Sequence, residues 1–102
     1  MNTISSPSFL GDRSLWSEDV KWLIEKQAGK VLSPFSQRIR WTHFYLESQV
    51  ENPDHVLARI QIDLAGHQLF SVVAQGSCPQ SALCTALTLL RQEIERSELV
   101  AV

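Results

Sequence analysis

The middle of the chain alternates between apolar and polar positions. From Val56 to Leu64 every second residue is apolar, and most residues between them are polar or charged, which is typical of a strand with one buried face. A similar alternation predicts a strand from Arg38 to Glu47. After a short connection at Gly66, the segment Leu69 to Gln75 predicts another. Within Arg38–Glu47 the residues expected on the core side are Thr42, Phe44 and Leu46. Those expected on the opposite side are Trp41, His43 and Tyr45.

Two other segments have the period of an amphipathic helix. The first is predicted from about Glu18 to Leu32, because Ser17 is a good N-cap, acidic residues follow it, and Pro34 stops the helix. The second is predicted from Pro79 to about Glu98, since proline suits the first helical position. The residues that share one mainly apolar side are Val20, Ile24, Gln27, Ala28 and Val31 in the first helix, and Ala82, Leu83, Ala86, Leu87, Leu90 and Ile94 in the second.

The N-terminal segment NTISSPSFL has the weaker pattern of an edge strand interrupted by Pro7, and GDRSLW then predicts a turn. The order strand, helix, three strands, helix predicts one α+β domain over residues 1–102, with βαβββα topology and a four-stranded mixed sheet. A right-handed crossover makes the first two strands parallel and puts both helices on one face. In that arrangement Ile60, Ile62, Phe70 and Val72 of the sheet point at Ile24, Leu83, Leu87 and Leu90 of the helices.

Composition limits the functional classes. A chain of 102 residues with 44% hydrophobic and 20% charged residues should fold as one small domain. The formal net charge of -2 provides no overall field that would attract nucleic acid, so any such binding needs a local basic patch. The sequence has no apolar run of about 20 residues and no signal-peptide pattern. We therefore expect a soluble cytoplasmic protein.

The residues with catalytic potential do not form a recognisable constellation. Cys78 stands where the second helix begins, a position that can activate a thiol, but no histidine lies near it in the sequence. Cys84 lies at the edge of the apolar side of that helix. The histidines, His43, His55 and His67, have no metal-ligand spacing with one another or with the cysteines. We expect structural cysteines, no metal, no cofactor and no enzymatic activity.

The outer side of the first helix is a candidate nucleic-acid surface. Trp22, Lys26 and Lys30 lie away from the predicted apolar side, so an exposed indole sits one turn from a lysine. Aromatic stacking beside cations is a common way to hold unpaired RNA bases. The alternative is that Trp22 packs on a neighbouring loop and that the lysines are merely solvated.

The open face of the sheet is a second candidate surface. Trp41, His43 and Tyr45 are expected to point away from the helices, together with Leu57, Leu69 and Val73 from other strands. An apolar face of this size fits a protein partner or a second copy of the chain. The alternative is that the N-terminal segment folds over it.

Three stretches resemble a known family: FLGDRSLWSEDV, PFSQRI and VLARIQIDLAGHQLFSVVAQGSCPQSALCTALTLLRQEIER. They are similar to the short ribosome hibernation promoting factors, also called sigma-54 modulation or ribosomal subunit interface proteins. The resemblance includes a glycine ending the first strand (Gly11), a Ser and Glu opening the first helix, and Ala74 and Gly76 closing the last strand. It implies a βαβββα protein that binds the small ribosomal subunit under stress, contacts ribosomal RNA, occupies the channel for mRNA and tRNA, and inhibits translation.

The resemblance also implies which residues contact RNA. They are Lys21, Lys26 and Lys30 on the first helix, beside the exposed Trp22, then Arg38, and Arg91 and Arg96 on the second helix. Two hypotheses follow. The chain is either a ribosome hibernation factor, or a diverged relative of that fold that binds a protein through its open sheet face at Trp41, His43 and Tyr45.

Overall fold

The structure of the protein is a computed structural model that describes residues 7–49, 51–52, 54–66 and 68–100. The strands are β1 (Ser8–Gly11), β2 (Ile39–Ser48), β3 (Val56–Leu64) and β4 (Gln68–Gly76), and the α-helices are α1 (Glu18–Val31) and α2 (Pro79–Val100). Two 3-10 helices, Arg13–Leu15 and Ser33–Arg38, connect β1 to α1 and α1 to β2. The element order confirms the predicted βαβββα topology.

Within the described residues the strands form one mixed sheet of four, in the order β1-β2-β3-β4. β1 pairs with β2 in parallel, with Ser8 opposite His43, whereas β2 with β3 and β3 with β4 are antiparallel. The crossover through α1 therefore joins neighbouring parallel strands, and the last three strands form a meander. β1 confirms the second half of the predicted N-terminal strand. The first half falls in residues 1–6, which lie outside the described residues.

The core lies between one face of the sheet and the two helices. Phe44, Ile60 and Ile62 from the sheet are fully buried with Ile24 and Leu90 from the helices, in one continuous cluster. Residues at the alternate strand positions are half-buried or exposed. Both helices therefore cover the same face, as predicted. Of the sheet residues predicted to point at the helices, Phe70 is half-buried and packs against the edge of the cluster.

Local chemistry explains where α1 begins and ends. The Ser17 hydroxyl accepts a hydrogen bond from the Val20 amide at 3.2 Å, which satisfies one of the unpaired N–H groups of the first turn. The helix ends at Val31 rather than at Leu32, because Leu32 already precedes the 3-10 helix that contains Pro34. Arg38 is the last residue of this 3-10 helix, so β2 begins one residue later than predicted.

The segment after β1 is an ordered structure rather than a simple turn. Asp12 caps its 3-10 helix, accepting hydrogen bonds from the Ser14 hydroxyl at 2.7 Å and amide at 3.0 Å and from the Ser48 hydroxyl at 3.0 Å. These bonds to Ser14 and Ser48 hold the pKa of Asp12 below its ordinary value. Trp16 is only 8% exposed and donates its indole N–H to the Leu10 carbonyl at 2.8 Å. The short edge strand is thus fastened to the core.

Two glycines sit where the backbone allows no side chain. Gly11 has a φ of 94°, and a Cβ there would collide with the carbonyl oxygen of Leu46 on the neighbouring strand. Gly76 ends β4 where the first turn of α2 approaches, and a Cβ there would meet Ser81 and Ala82. These close approaches explain physically why glycine ends the first and last strands.

Candidate nucleic-acid interface

The outer side of α1 exposes an aromatic ring and two lysines, together with the acidic residues Glu18 and Glu25. Trp22 is 63% exposed, so the described residues leave most of the indole open to solvent, and the alternative in which it packs on a neighbouring loop does not hold. The ammonium group of Lys26 lies 4.8 Å from the centroid of the Trp22 ring, within cation–π distance. Lys30, one turn further along, is also exposed. We call Trp22, Lys26 and Lys30 the α1 stripe.

Lys21 is not part of this stripe. At about 100° per residue it lies roughly a quarter-turn from Trp22, on the side of α1 that faces β1. Its ammonium group is 5.9 Å from the Phe9 ring centroid and 3.9 Å from a carboxylate oxygen of Glu18. A partner that meets the α1 stripe must therefore extend around the helix to reach Lys21.

A shallow pocket lies beside Lys21. It has a volume of about 340 Å³ and is lined by Phe9, Arg13, Trp16 and Lys21. Arg13 is not among the residues predicted from the sequence, although its position shortly before α1 indicates a second cation near the start of that helix. The pocket therefore has two cations, Arg13 and Lys21, beside two aromatic rings.

Arg38 lies at the end of the 3-10 helix that follows α1. It is half-buried, and its backbone carbonyl accepts a hydrogen bond from the Ala65 amide at 2.6 Å. This bond anchors the residue to the turn between β3 and β4. Arg38 is therefore held in a fixed position, separate from the α1 stripe.

The two arginines of α2 are paired with acidic residues of the same helix. The Arg91 Nε lies 2.7 Å from a carboxylate oxygen of Glu95, and an Arg96 guanidinium nitrogen lies 3.2 Å from Glu93. Exposed pairs of this kind add only about 0.2–1 kcal/mol to stability. They do offset the positive charge that each arginine would present to a phosphate group. The structure thus does not bring the predicted residues of α1 and α2 together into one basic patch.

The open sheet face is partly covered by its own side chains. The rings of Trp41 and His43 stack with centroids 4.4 Å apart, and the guanidinium carbon of Arg59 lies 5.9 Å from the centroid of Tyr45. All three aromatic residues are half-buried. The most exposed apolar residues of this face are on β4, Leu69 at 62% and Val73 at 47%. The segment that was the alternative cover, residues 1–6, lies outside the described residues.

The cysteines and histidines are dispersed. Cys78 is half-buried, and Cys84 is exposed rather than packed at the edge of the core. His55 is hydrogen-bonded through its ring Nδ1 to the Asn52 amide at 2.7 Å, and His43 stacks on Trp41. His67 lies outside the described residues. Among the residues that are described, no three His, Cys, Asp or Glu side chains are grouped to hold a metal ion.

Comparison with known proteins gives a fold but no sequence family. No family model and no curated protein sequence matches the chain. Solved structures do match. A ribosomal subunit interface protein from Coxiella burnetii superposes with a TM-score of 0.79 at 12% identity, over 91% of this chain and 97% of that one. The N-terminal domain of Protein Y from Thermus thermophilus gives 0.71 at 18% identity, over 87% and 93%.

The chain has the fold of these two proteins. The resemblance seen in the sequence is therefore confirmed at the level of the fold, and it covers nearly the whole chain and nearly the whole of both neighbours. Across the described residues, no helix is long and apolar enough to cross a membrane.

Proposed function

We propose that the protein is a ribosome-associated hibernation factor, without enzymatic activity, that works in the cytoplasm. It binds ribosomal RNA of the small subunit and inhibits translation by occupying the channel for mRNA and tRNA. The observation that carries the proposal is the exposed Trp22 with Lys26 over its ring, on a fold shared with a protein described as a ribosomal subunit interface protein.

The α1 stripe has the chemistry of a site for unpaired RNA. An exposed indole offers a flat surface on which a base stacks, whatever the sequence. Lys26 and Lys30 stand one turn apart along α1, which suits successive contacts to backbone phosphates. Stacking on Trp22 and charge on the lysines together favour single-stranded or bulged RNA over a regular duplex, whose bases are not accessible for stacking.

The inhibition needs only steric occupation. α1 and α2 pack on one face of a four-stranded sheet, which makes the protein a rigid wedge. Contacts at its surface fix its position in the channel. No nucleophile or bound cofactor enters this mechanism. Removal then requires only that the phosphate contacts be displaced by salt or by a competing RNA.

The strength of binding should reflect the small number of cations. Lys21, Lys26, Lys30 and Arg38 give at most about four phosphate contacts. Lys21 is paired with Glu18, and Arg91 and Arg96 are paired with Glu95 and Glu93. With about four contacts, the slope of log affinity against log salt concentration should be about -3 to -4. Binding should therefore weaken gradually between low and physiological salt.

Co-sedimentation with separated ribosomal subunits tests the proposal. The protein should pellet with the small subunit and not with the large one, at low salt, and prebound mRNA and tRNA should exclude it. Serum albumin, which is also acidic, controls for trapping in the pellet. Equal recovery with both subunits, or no effect of prebound mRNA and tRNA, would refute occupation of the channel.

One observation favours a second candidate function. The open sheet face carries the Trp41–His43 stack and Tyr45, which is aromatic surface of the type found at the centre of protein interfaces. In this alternative the fold binds a protein through that face. Two results together would support this alternative. The protein would bind neither ribosomal subunit, and it would form a complex with a protein that is lost when Trp41 or Tyr45 is replaced.

A further inference from the structure

About a quarter of the chain has no ionisable acid or base other than a single histidine and two cysteines. Residues 64–90 contain no Asp, Glu, Lys or Arg. This stretch includes all of β4 and the first three turns of α2. The exposed residues of those turns are uncharged: Ser81, Cys84, Thr85, Thr88 and Leu89. Such a surface loses little solvation free energy when another neutral surface covers it.

Strand β4 is the long free edge of the sheet. Within the part of the chain that the structure describes, it pairs with β3 on one side and with no strand on the other. Outside helices and strand ladders, none of the backbone hydrogen bonds among the described residues reaches residues 68–76. In natural proteins an edge strand usually has a feature that prevents it from pairing with another chain: a charged residue, a proline, a bulge or a short length. β4 has nine residues, no charge and no proline, and its register with β3 is continuous.

The exposed positions of β4 are arranged symmetrically. Leu69 and Val73 are two of the most exposed apolar residues in the described part of the chain. Both lie on the open face, two residues before and two residues after Ser71, which is also exposed. An antiparallel pair of identical strands has a twofold axis between opposing residues. If Ser71 lies opposite Ser71 of a second copy, each Leu69 lies opposite a Val73. Two such Leu–Val pairs form, one on each side of the axis.

We propose that the protein forms a symmetric dimer by antiparallel pairing of β4 with β4 of a second copy, with the twofold axis at Ser71. Charge favours a second copy over other partners, because its matching edge is also uncharged. A partner with a charged edge would have to bury its charge without a counter-charge on β4, which is costly.

The dimer places the two α1 stripes at a distance from the new contact. α2 packs on β3 and β4, whereas α1 contacts α2 and lies on the side of β1 and β2. Pairing at β4 therefore makes one continuous sheet and leaves Trp22, Lys26 and Lys30 of both copies exposed. The dimer does not depend on the proposed ribosome binding, and it would present two such surfaces.

Disulfide trapping tests the register. In an antiparallel pair, opposing Cα atoms lie about 4.5–5.5 Å apart, within the range of a disulfide. In a background with Cys78→Ser and Cys84→Ser, the variant Ser71→Cys should form a covalent dimer under mild oxidation. The matched control is Gln75→Cys, on the same strand and also exposed. At about 3.4 Å per residue, the two copies of this position would be roughly 27 Å apart, so Gln75→Cys should form no covalent dimer.

Sedimentation equilibrium tests the dimer without a cross-link. Ser71→Lys puts two ammonium groups directly opposite each other, and the dimer dissociation constant should rise roughly tenfold. Gln75→Lys adds the same charge near the strand end and should change it far less. Thermal melting shows that both variants are folded. A wild-type protein that is monomeric at every concentration, or a Ser71→Cys variant that cross-links no faster than Gln75→Cys, would overturn the proposal.

Discussion

The two helices of this protein pack on the same sheet face and differ on their outer sides. α1 alternates acids and lysines and exposes Trp22 beneath Lys26. α2 carries no charge before Arg91, and its two arginines are paired with Glu95 and Glu93. Their inner sides are equivalent, since both bury small and branched apolar residues in the same core cluster. The core and the outer surface are thus set by different residues, and the same fold can keep its core while one helix changes its outer surface.

The largest effects should come from the inner sides, and they should be alike for both helices. Ile24→Ala in α1 and Leu87→Ala in α2 each remove a buried side chain, with exposures of 1% and 2%. Each should lower the free energy of unfolding by about 2–5 kcal/mol, measured by urea denaturation. Thr85→Ala, at an exposed α2 position, is the control and should change it little. A marked difference between the two core variants would mean that one helix is peripheral to the fold.

On the outer side of α1, the largest expected loss is that of the exposed indole. Trp22→Ala should weaken binding to the small subunit, or to a single-stranded RNA, by about 1–3 kcal/mol through lost stacking. The slope of log affinity against log salt should stay the same, because no charge is removed. Trp22→Phe should restore part of the affinity. The affinity is measured by fluorescence anisotropy of labelled RNA. If Trp22→Ala binds as tightly as the unmodified protein, stacking on Trp22 does not contribute to RNA binding.

Neutralising lysines on α1 and arginines on α2 should have unequal effects. Lys26→Gln with Lys30→Gln should reduce affinity for RNA by about tenfold and reduce the salt slope by roughly 1.5 to 2, since two phosphate contacts are lost. Arg91→Gln with Arg96→Gln removes the same formal charge. It should change the slope by less than one, because each arginine already has a carboxylate partner. Equal changes in slope would show that both helices meet RNA.

The smallest effect is expected from the cysteines. Cys84 is exposed and Cys78 half-buried, so Cys78→Ser with Cys84→Ser should lower stability by only about 0.5–1 kcal/mol. Ribosome association should be unchanged, as measured by co-sedimentation. Loss of binding by a double variant that melts normally would indicate a thiol-dependent mechanism instead.

The sequence predicts the regular elements well and the connecting segments poorly. β3 matches its predicted bounds, Val56–Leu64, because an inner strand with one buried face has its alternation imposed along its whole length. The two 3-10 helices were not predicted, because such short helices depend on tertiary contacts. The hydrogen bond from the Trp16 indole to Leu10 is one of these. Thr42 is buried, and its hydroxyl lacks a hydrogen-bond partner among the described residues. The hydrophobic pattern of the sequence does not reveal this.

The candidate site follows the same division. The contact of Lys26 with Trp22 joins residues four apart on one helix, so helical period alone places them together. The pairing of Arg91 with Glu95 has that same spacing, so helical period also places these two residues together. By contrast, the contact of Arg59 with Tyr45 depends on the register between β2 and β3. That register is set by the packing of the whole sheet, which a single sequence does not show.

Charge reversal on α1, followed by co-sedimentation with the small subunit, tests the central claim most directly. The double variant Lys26→Glu with Lys30→Glu should no longer pellet with the subunit at physiological salt. The double variant Trp41→Ala with Tyr45→Ala, altered on the open sheet face, should pellet as the unmodified protein does if both variants are folded. Retained co-sedimentation of the α1 variant, with loss for the sheet-face variant, would contradict the account and assign binding to the open sheet face.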